Sequence, residues 1–482
     1  MEPAMSDSAR LYHPMKIAGE NVLADSSIDV RNPFTDQVIA AVPQAHPEHV
    51  RRAFAIARAF RPRLTRRERA RILQATADAI EANRDRLAHL ITSESGLCLK
   101  DSLHETLRAR DVWSFAAHAV LHDDGKIYAG DIGGSAQSRR IFSTRTPLLG
   151  VISAITPFNH PLNLVSHKLA PAFATNNRVV LKPAETTPLT ALALADLLYE
   201  AGLPPQMLSV VTGDPRSIGD AMINDPDIDL VTFTGSVSIG KRIAERVGYR
   251  RLVLELGGND PLIVMGDADL DRAAQLAVQG ATRNSGQRCT AVKRVLVVDG
   301  VADRFAEATL ALMKRLTAGD PMDPNTDVGT VINAKAASTI AGRVEAAVRS
   351  GARLLLGNTP QGALYPPTML DHVSPDCELV REETFGPVLP IIRCPDDVEQ
   401  IVAIANSSAF GLSAGVCTNR LDYVTRFVDA LDVGCVNVWE VPGYRTELTP
   451  FGGIKDSGLG HKEGVLEAMK SFTNIKTYSL PW

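Results

Sequence analysis

The stretch SGQRCTA, residues 285–291, places Cys289 directly after Arg288 in a run of small residues. The thiolate is the nucleophilic form of cysteine, and a neighbouring cation favours it, so this pair suits attack on an electrophilic carbon. Such chemistry also needs a base and an oxyanion donor. Glu255 ends the apolar run RLVLE just before two glycines. A carboxylate buried there has its pKa raised and takes a proton near neutrality; the alternative is a carboxylate satisfied by a helix end. Asn159, in TPFNHP, can donate side-chain N–H bonds to an oxyanion or hold a turn before Pro161. In TGSVSIG, Gly235 and Gly240 allow a tight turn into a helix start, where a pyrophosphate fits. The spacing is not GxGxxG, so a plain strand–turn–helix link is an equal reading. Lys182 and Glu185, in LKPAE, could each reach a ribose hydroxyl; a lysine at a strand end is otherwise simply solvated.

These residues need a scaffold, and the chain shows one. Residues 50–120 carry apolar residues at helical spacing. From residue 148 the rhythm turns to strand and helix in alternation: LLGVISAI, RVVLK, MLSVVTG, DLVTFTG and RLVLELGG are strands with helical stretches between them. Alternation of this kind predicts a parallel sheet covered by helices on both faces, with ligands at the C-terminal ends of its strands. A second such series follows in PLIVM, a helix over about 269–283, RVLVV and a further helix. The fold class expected is α/β, with two doubly wound lobes joined near Gly257–Gly258. GDIGGSAQSRRIFSTRT reads as a linker or a small hairpin, and the tail SFTNIKTYSLPW as an exposed strand open to pairing with another subunit.

At 482 residues the chain is too long for a single core. Its formal net charge of −4 gives no global field to recruit nucleic acid or an anionic membrane. No apolar run reaches the roughly 20 residues of a membrane-spanning helix, and the first residues lack the apolar core of a secretory signal. A cytoplasmic location is expected. The six cysteines are scattered without metal-ligand spacing, so no metal site is expected and the other five read as small buried hydrophobes.

Taken in order, PFNHP, LKPAE, FTGSVSIG, LELGGNDP, NSGQRCTA, EETFGPV and PFGGIKDSGLG resemble the aldehyde dehydrogenase superfamily from about residue 17 to the end. RNPFTDQVIAAVP and VNVWEVPGYRTELTPFGG resemble its branch that contains phosphonoacetaldehyde, lactaldehyde and nonphosphorylating glyceraldehyde-3-phosphate dehydrogenases. The resemblance implies a Rossmann-like NAD-binding lobe (1–125 and 147–257), a catalytic thiol lobe (258–460) and a small β oligomerisation arm (126–146 and 465–482). It implies that Cys289 is the nucleophile, that Asn159 and the Cys289 N–H form the oxyanion hole, and that Glu255 is the general base. Thr156, Phe158, Lys182 and Glu185 would hold the dinucleotide together with Gly235, Ser236, Gly240, Glu383 and Phe385. Phe158 stands where the family usually has Trp, and His461-Lys462-Glu463 replaces its common Arg-Glu.

The same resemblance sets Arg108 beside the substrate tunnel. Arg108, Arg288 and His160 could then form one cationic rim around the thiol, gripping a phosphonate through bidentate bonds. Taken singly, Arg108 reads as a surface helix residue and His160 as a capping or packing histidine. The expected reaction is oxidation of phosphonoacetaldehyde to phosphonoacetate with NAD, Glu185 disfavouring the extra phosphate of NADP. Other small anionic aldehydes, and lactaldehyde, are the alternatives. A catalytically silent relative would have lost Cys289, Asn159 and Glu255, and all three are present. A homodimer or homotetramer is implied.

Overall fold

The computed structural model describes residues 11–122, 125–133, 139–146 and 150–481. Its first seven-stranded sheet is built around five parallel strands, Val151–Ile155, Arg178–Lys182, Leu208–Val210, Leu230–Thr234 and Arg251–Glu255. An antiparallel pair near the N-terminus, Met15–Ile17 and Glu20–Val22, extends its edge. The strand Val151–Ile155 pairs with Arg178–Lys182 on one side and with Leu230–Thr234 on the other. Strand order therefore reverses beside Val151–Ile155, and such a reversal opens a crevice at the C-terminal strand ends. The five strands are almost wholly buried, as continuous apolar runs in a sheet covered on both faces must be.

The second seven-stranded sheet is centred on Val292–Val298; the chain enters it at Asp260–Val264, which pairs in parallel with Val292–Val298 and with Ser413–Cys417. Four residues separate Glu255 from Asp260, so the chain leaves the C-terminal end of one sheet and enters the N-terminal end of the other. Gly258 makes this tight passage possible, because a Cβ there would lie 2.3 Å from the carbonyl oxygen of Cys289. The helices expected over 50–120 are present, the longest being Leu99–Ala119, which buries Ala109, Val112 and Trp113 in the core of the first lobe.

The segment read as a linker or hairpin forms two antiparallel strands, Lys126–Ala129 and Arg140–Thr146. The tail strand Asn474–Leu480 adds to them in an antiparallel register. Ile127, Tyr128, Ile475 and Tyr478 lie exposed on this three-stranded sheet. The tail strand is exposed along most of its length and does not alternate. Before the tail strand, Val465–Ser471 is a helix whose Val465 and Ala468 pack into the first core. Parts of 126–146, namely 134–138, lie outside the described residues. Among the described residues, no helix is long and apolar enough to cross a membrane.

Candidate functional site

The loop that carries Cys289 is held in an unusual backbone shape. The helix Leu270–Thr282 ends at Arg283, and Asn284, Ser285 and Gly286 follow with φ of 55°, 51° and 70°. Two successive non-glycine residues in the left-handed region are strained, and their neighbours hold them there. Asp101 accepts the Asn284 N–H at 2.7 Å. Gln287 is pinned through its side chain to the Ile332 N–H at 2.8 Å and through its carbonyl to Asn159 Nδ2 at 2.9 Å. Asn159 thus sits against the thiol loop with one of its two amide hydrogens engaged.

Burial pushes the Cys289 thiol up to about 12, and Lys293, followed by Arg445, is the cation that opposes this. Lys293 Nζ donates to the carbonyls of Gly258 at 2.8 Å and Cys289 at 3.2 Å and to Glu383 Oε1 at 2.6 Å. This corrects the expectation that Arg288 is the cation that lowers the thiol. Arg288 donates from Nη2 to the Gly280 carbonyl at 2.8 Å, while its Nε is buried without a partner.

Glu255 is buried, and neither carboxylate oxygen has a hydrogen-bond partner. Burial raises its pKa well above the ordinary value, and the nearby Glu463 raises it further. Glu463 is the carboxylate of the His461-Lys462-Glu463 segment, one residue further from the SGxG glycines than the family's common Arg-Glu would place it. Its backbone pairs with Phe451, and its Oε1 accepts Lys168 Nζ at 3.0 Å and Thr234 Oγ1 at 3.3 Å. Burial works against its ionisation, but Lys168 and His167 outweigh that and hold it below the usual carboxylate range. One carboxylate is pushed up and its neighbour down, the arrangement that separates acid and base roles.

A cavity of about 430 Å³ opens beside this centre, lined by Phe158, Asn159, Gly235, Ser236, Cys289, Glu383 and Phe385 among others. Ser236 sits at the N-cap of the helix Val237–Arg246 and spends no side-chain bond on capping it. At Gly235 a Cβ would lie 2.5 Å from the Phe233 ring, and at Gly240 one would lie 2.3 Å from Leu256 Cδ2. Helix and strand therefore approach closely, leaving first-turn amides for an anionic group. Lys182 is buried, with Nζ 3.5 Å from the half-exposed Glu185. Phe158 and Phe385 meet edge to face at 6.0 Å. Glu383 Oε1 is taken by Lys293 and by the Gly258 N–H at 3.1 Å. Thr156 is buried with its hydroxyl unpaired. Ser236, Glu383 and Phe385 line the cavity and offer hydrogen-bonding groups and a ring that suit a dinucleotide, whereas Lys182 and Glu185 lie outside its lining and pair with each other.

The residues expected as a cationic rim are not among those lining that cavity. Arg108 donates from Nε to Glu447 Oε1 at 2.6 Å, and among the described residues its terminal nitrogens have no hydrogen-bond partner. His160 lies 3.3 Å from Glu105 Oε2 and about as close to Asn284 Nδ2, at 3.0 Å. It is therefore already engaged, and Glu105, which also accepts the N–H groups of Leu162 and Asn163, anchors it to the next helix start. Arg288, pushed down to about 10 by burial, feels both Arg108 and Arg283. His104 is pushed down to about 4 by burial first, then by Arg283 and Arg108. These groups share one positive neighbourhood, and Arg283 and His104 belong to it although the motifs did not mark them. Arg445 is another such residue. Its Nη1 is buried without a partner, its guanidinium lies 3.9 Å from the Phe451 ring centre, and its charge reaches both Cys289 and Glu255.

A partly buried thiol lines a cavity between the two α/β lobes, beside a buried carboxylate that has no hydrogen-bond partner. The aldehyde dehydrogenase family model matches residues 22–478, and the chain belongs to that family. It is 36% identical over 458 residues to the 3-sulfolactaldehyde dehydrogenase of Priestia aryabhattai, covering 95% of each chain. It is 38% identical over 410 residues to the sulfoacetaldehyde dehydrogenase of Neptuniibacter caesariensis, covering 85% of this chain and 89% of that one. Its fold matches the NADP-dependent glyceraldehyde-3-phosphate dehydrogenase of Bacillus halodurans, complexed with NADP, with a TM-score of 0.94 at 36% identity, over 98% of this chain and 99% of that chain. Among the described residues, no group of three or more His, Cys, Asp or Glu could hold a metal ion.

Proposed function

We propose that this enzyme oxidises a small anionic aldehyde to its acid with NAD, and that the aldehyde is phosphonoacetaldehyde. The Cys289 thiolate adds to the carbonyl carbon, forming a C–S bond and an oxyanion. Asn159 Nδ2 and the Cys289 N–H donate to that oxyanion; one such donor is worth about 2.7–4 kcal/mol in the transition state. The bound dinucleotide supplies the hydride acceptor. The thioester left on Cys289 is then hydrolysed: Glu255 takes a proton from water, the hydroxide adds to the acyl carbon, and the C–S bond breaks. Transfer to a carrier thiol would not need this base, so Glu255 favours a free acid as product.

The observation that carries the substrate reading is the pair of unpartnered terminal nitrogens of Arg108, in an arginine cluster with Arg283 and Arg288. A planar fork of this kind suits two oxygens of a phosphonate, sulfonate or carboxylate. The relatives above are dehydrogenases of 3-sulfolactaldehyde, sulfoacetaldehyde and glyceraldehyde 3-phosphate, which supports an anionic aldehyde of this size. Glu185 favours NAD, NADP being the alternative. The exposed apolar residues of the arm support a homodimer or homotetramer.

NADH formation is measured from phosphonoacetaldehyde beside succinic semialdehyde, sulfoacetaldehyde, glyceraldehyde 3-phosphate, lactaldehyde and propanal. Phosphonoacetaldehyde is expected to give the highest kcat/KM; a higher value for another anionic aldehyde reassigns the substrate. Arg288→Ala is expected to raise KM for the anionic substrate about 10- to 100-fold, the worth of a bond to a charged group, and KM for propanal far less. Equal effects on both would remove Arg288 from the anion site.

A further inference from the structure

We propose that Glu447 is a positioning residue that sets the specificity of the enzyme by fixing Arg108, holding that arginine by Nε and leaving its two terminal nitrogens for the substrate's anionic end. The inference rests on the reading of Arg108 as a substrate-binding residue.

Glu447 is buried, and three distant parts of the chain meet on it. Its Oε1 takes Arg108 Nε at 2.6 Å, from the helix Leu99–Ala119. Its Oε2 takes His167 Nε2 at 2.5 Å, from the helix Asn163–Ala174, which starts four residues after Asn159. Its own backbone is fixed because its carbonyl accepts the Val465 N–H at 3.0 Å. Burial, only partly offset by Glu447, keeps His167 below its ordinary value, so the ring serves as a neutral N–H donor.

A guanidinium has five donors in one plane. Held at Nε, the side chain loses its freedom to swing, while Nη1 and Nη2 stay available as a parallel pair. A carboxylate that bound the pair end-on would instead compete with the substrate. Glu447 shares its surroundings with Arg108, Arg445 and His167. A purely electrostatic role would therefore weaken anion binding, because Glu447 subtracts positive charge. Positioning and charge reduction predict opposite signs for its removal.

Steady-state kinetics are compared for phosphonoacetaldehyde, or the anionic aldehyde that the panel shows to be oxidised fastest, and for propanal. Glu447→Gln removes the charge that locks Nε, and Glu447→Asp withdraws the carboxylate by one methylene while keeping the charge. Each is expected to raise KM for the anionic aldehyde about tenfold, with at least a fivefold smaller effect on propanal. In an Arg108→Ala background, Glu447→Gln is expected to add nothing. A fall in KM for the anion, an equal rise for both aldehydes, or an undiminished rise in the Arg108→Ala background would each overturn the inference. If Arg108→Ala alone leaves the anion's KM unchanged, the substrate reading fails, and this inference with it. If Arg108→Ala raises KM and neither Glu447 variant does, this inference alone fails.

Discussion

The two lobes face the cleft with opposite ends of their strands. The first offers C-terminal ends: Lys182 closes Arg178–Lys182, Gly235 follows Leu230–Thr234, and Glu255 closes Arg251–Glu255. The second offers N-terminal ends: Cys289 precedes Val292–Val298, and Glu383 and Phe385 precede Val388–Cys394. Residues at the C-terminal ends of a parallel sheet can be picked out from the strand–helix rhythm alone, since that is where such sheets bind ligands. Residues that precede a strand carry no such mark. In the second lobe the chemistry depends on loop shape, as the strained backbone of Asn284 and Ser285 shows.

This contrast can be tested from each side. The largest effect belongs to the second lobe. Cys289→Ser is expected to cut turnover on the order of 10⁴-fold or more, with dinucleotide binding retained, measured by NADH formation and by equilibrium titration. Turnover near the wild-type rate would remove the thiol from the mechanism. The next belongs to the first lobe. Glu255→Gln is expected to slow hydrolysis about 10²–10⁴-fold while the first turnover still releases NADH as a burst. The sign of the pH dependence follows from the raised pKa of Glu255: the base acts when deprotonated, so hydrolysis should fall as pH drops through that raised value. A flat steady-state profile across neutral and alkaline pH would assign water activation to another group. The smallest is Glu185→Gln, which removes a half-exposed charge 3.5 Å from Lys182. It is expected to shift the NAD-to-NADP ratio of kcat/KM toward NADP by about tenfold or less. An unchanged ratio would place the ribose discrimination elsewhere.

The sheets could be read in the sequence because their strands have a strand or helix period beside them; Glu255 and Asn159 are marked by lying at or just after strand ends, and Cys289 by its motif and not by any rhythm. The partners of those residues could not be read. Glu463 is offset by one residue from the family pattern, and only its pairing with Phe451 brings it to Lys168 and Glu255. Arg445 and Glu447 lie in a segment without periodicity, and their contacts reach hundreds of positions along the chain, as from Glu447 to Arg108 and His167. The cation that opposes thiol burial was misassigned to Arg288, the nearest in sequence. A turn at Cys289–Thr290 and the start of the strand Val292–Val298 bring Lys293 Nζ back to the carbonyl of Cys289, while Arg288 turns to Gly280.

Gly286 has a φ of +70°, and a Cβ at that position would fall 2.0 Å from the carbonyl oxygen of Gly386. Gly286 lies three residues before the nucleophile, and Gly386 directly follows Phe385 in the cofactor-facing EETFGPV segment. The two backbones are in direct contact with no side chain between them to act as a cushion. Neither strip can move toward the other without a clash, so a side chain at Gly286 would push the sulfur's loop away from the wall of the nucleotide cleft.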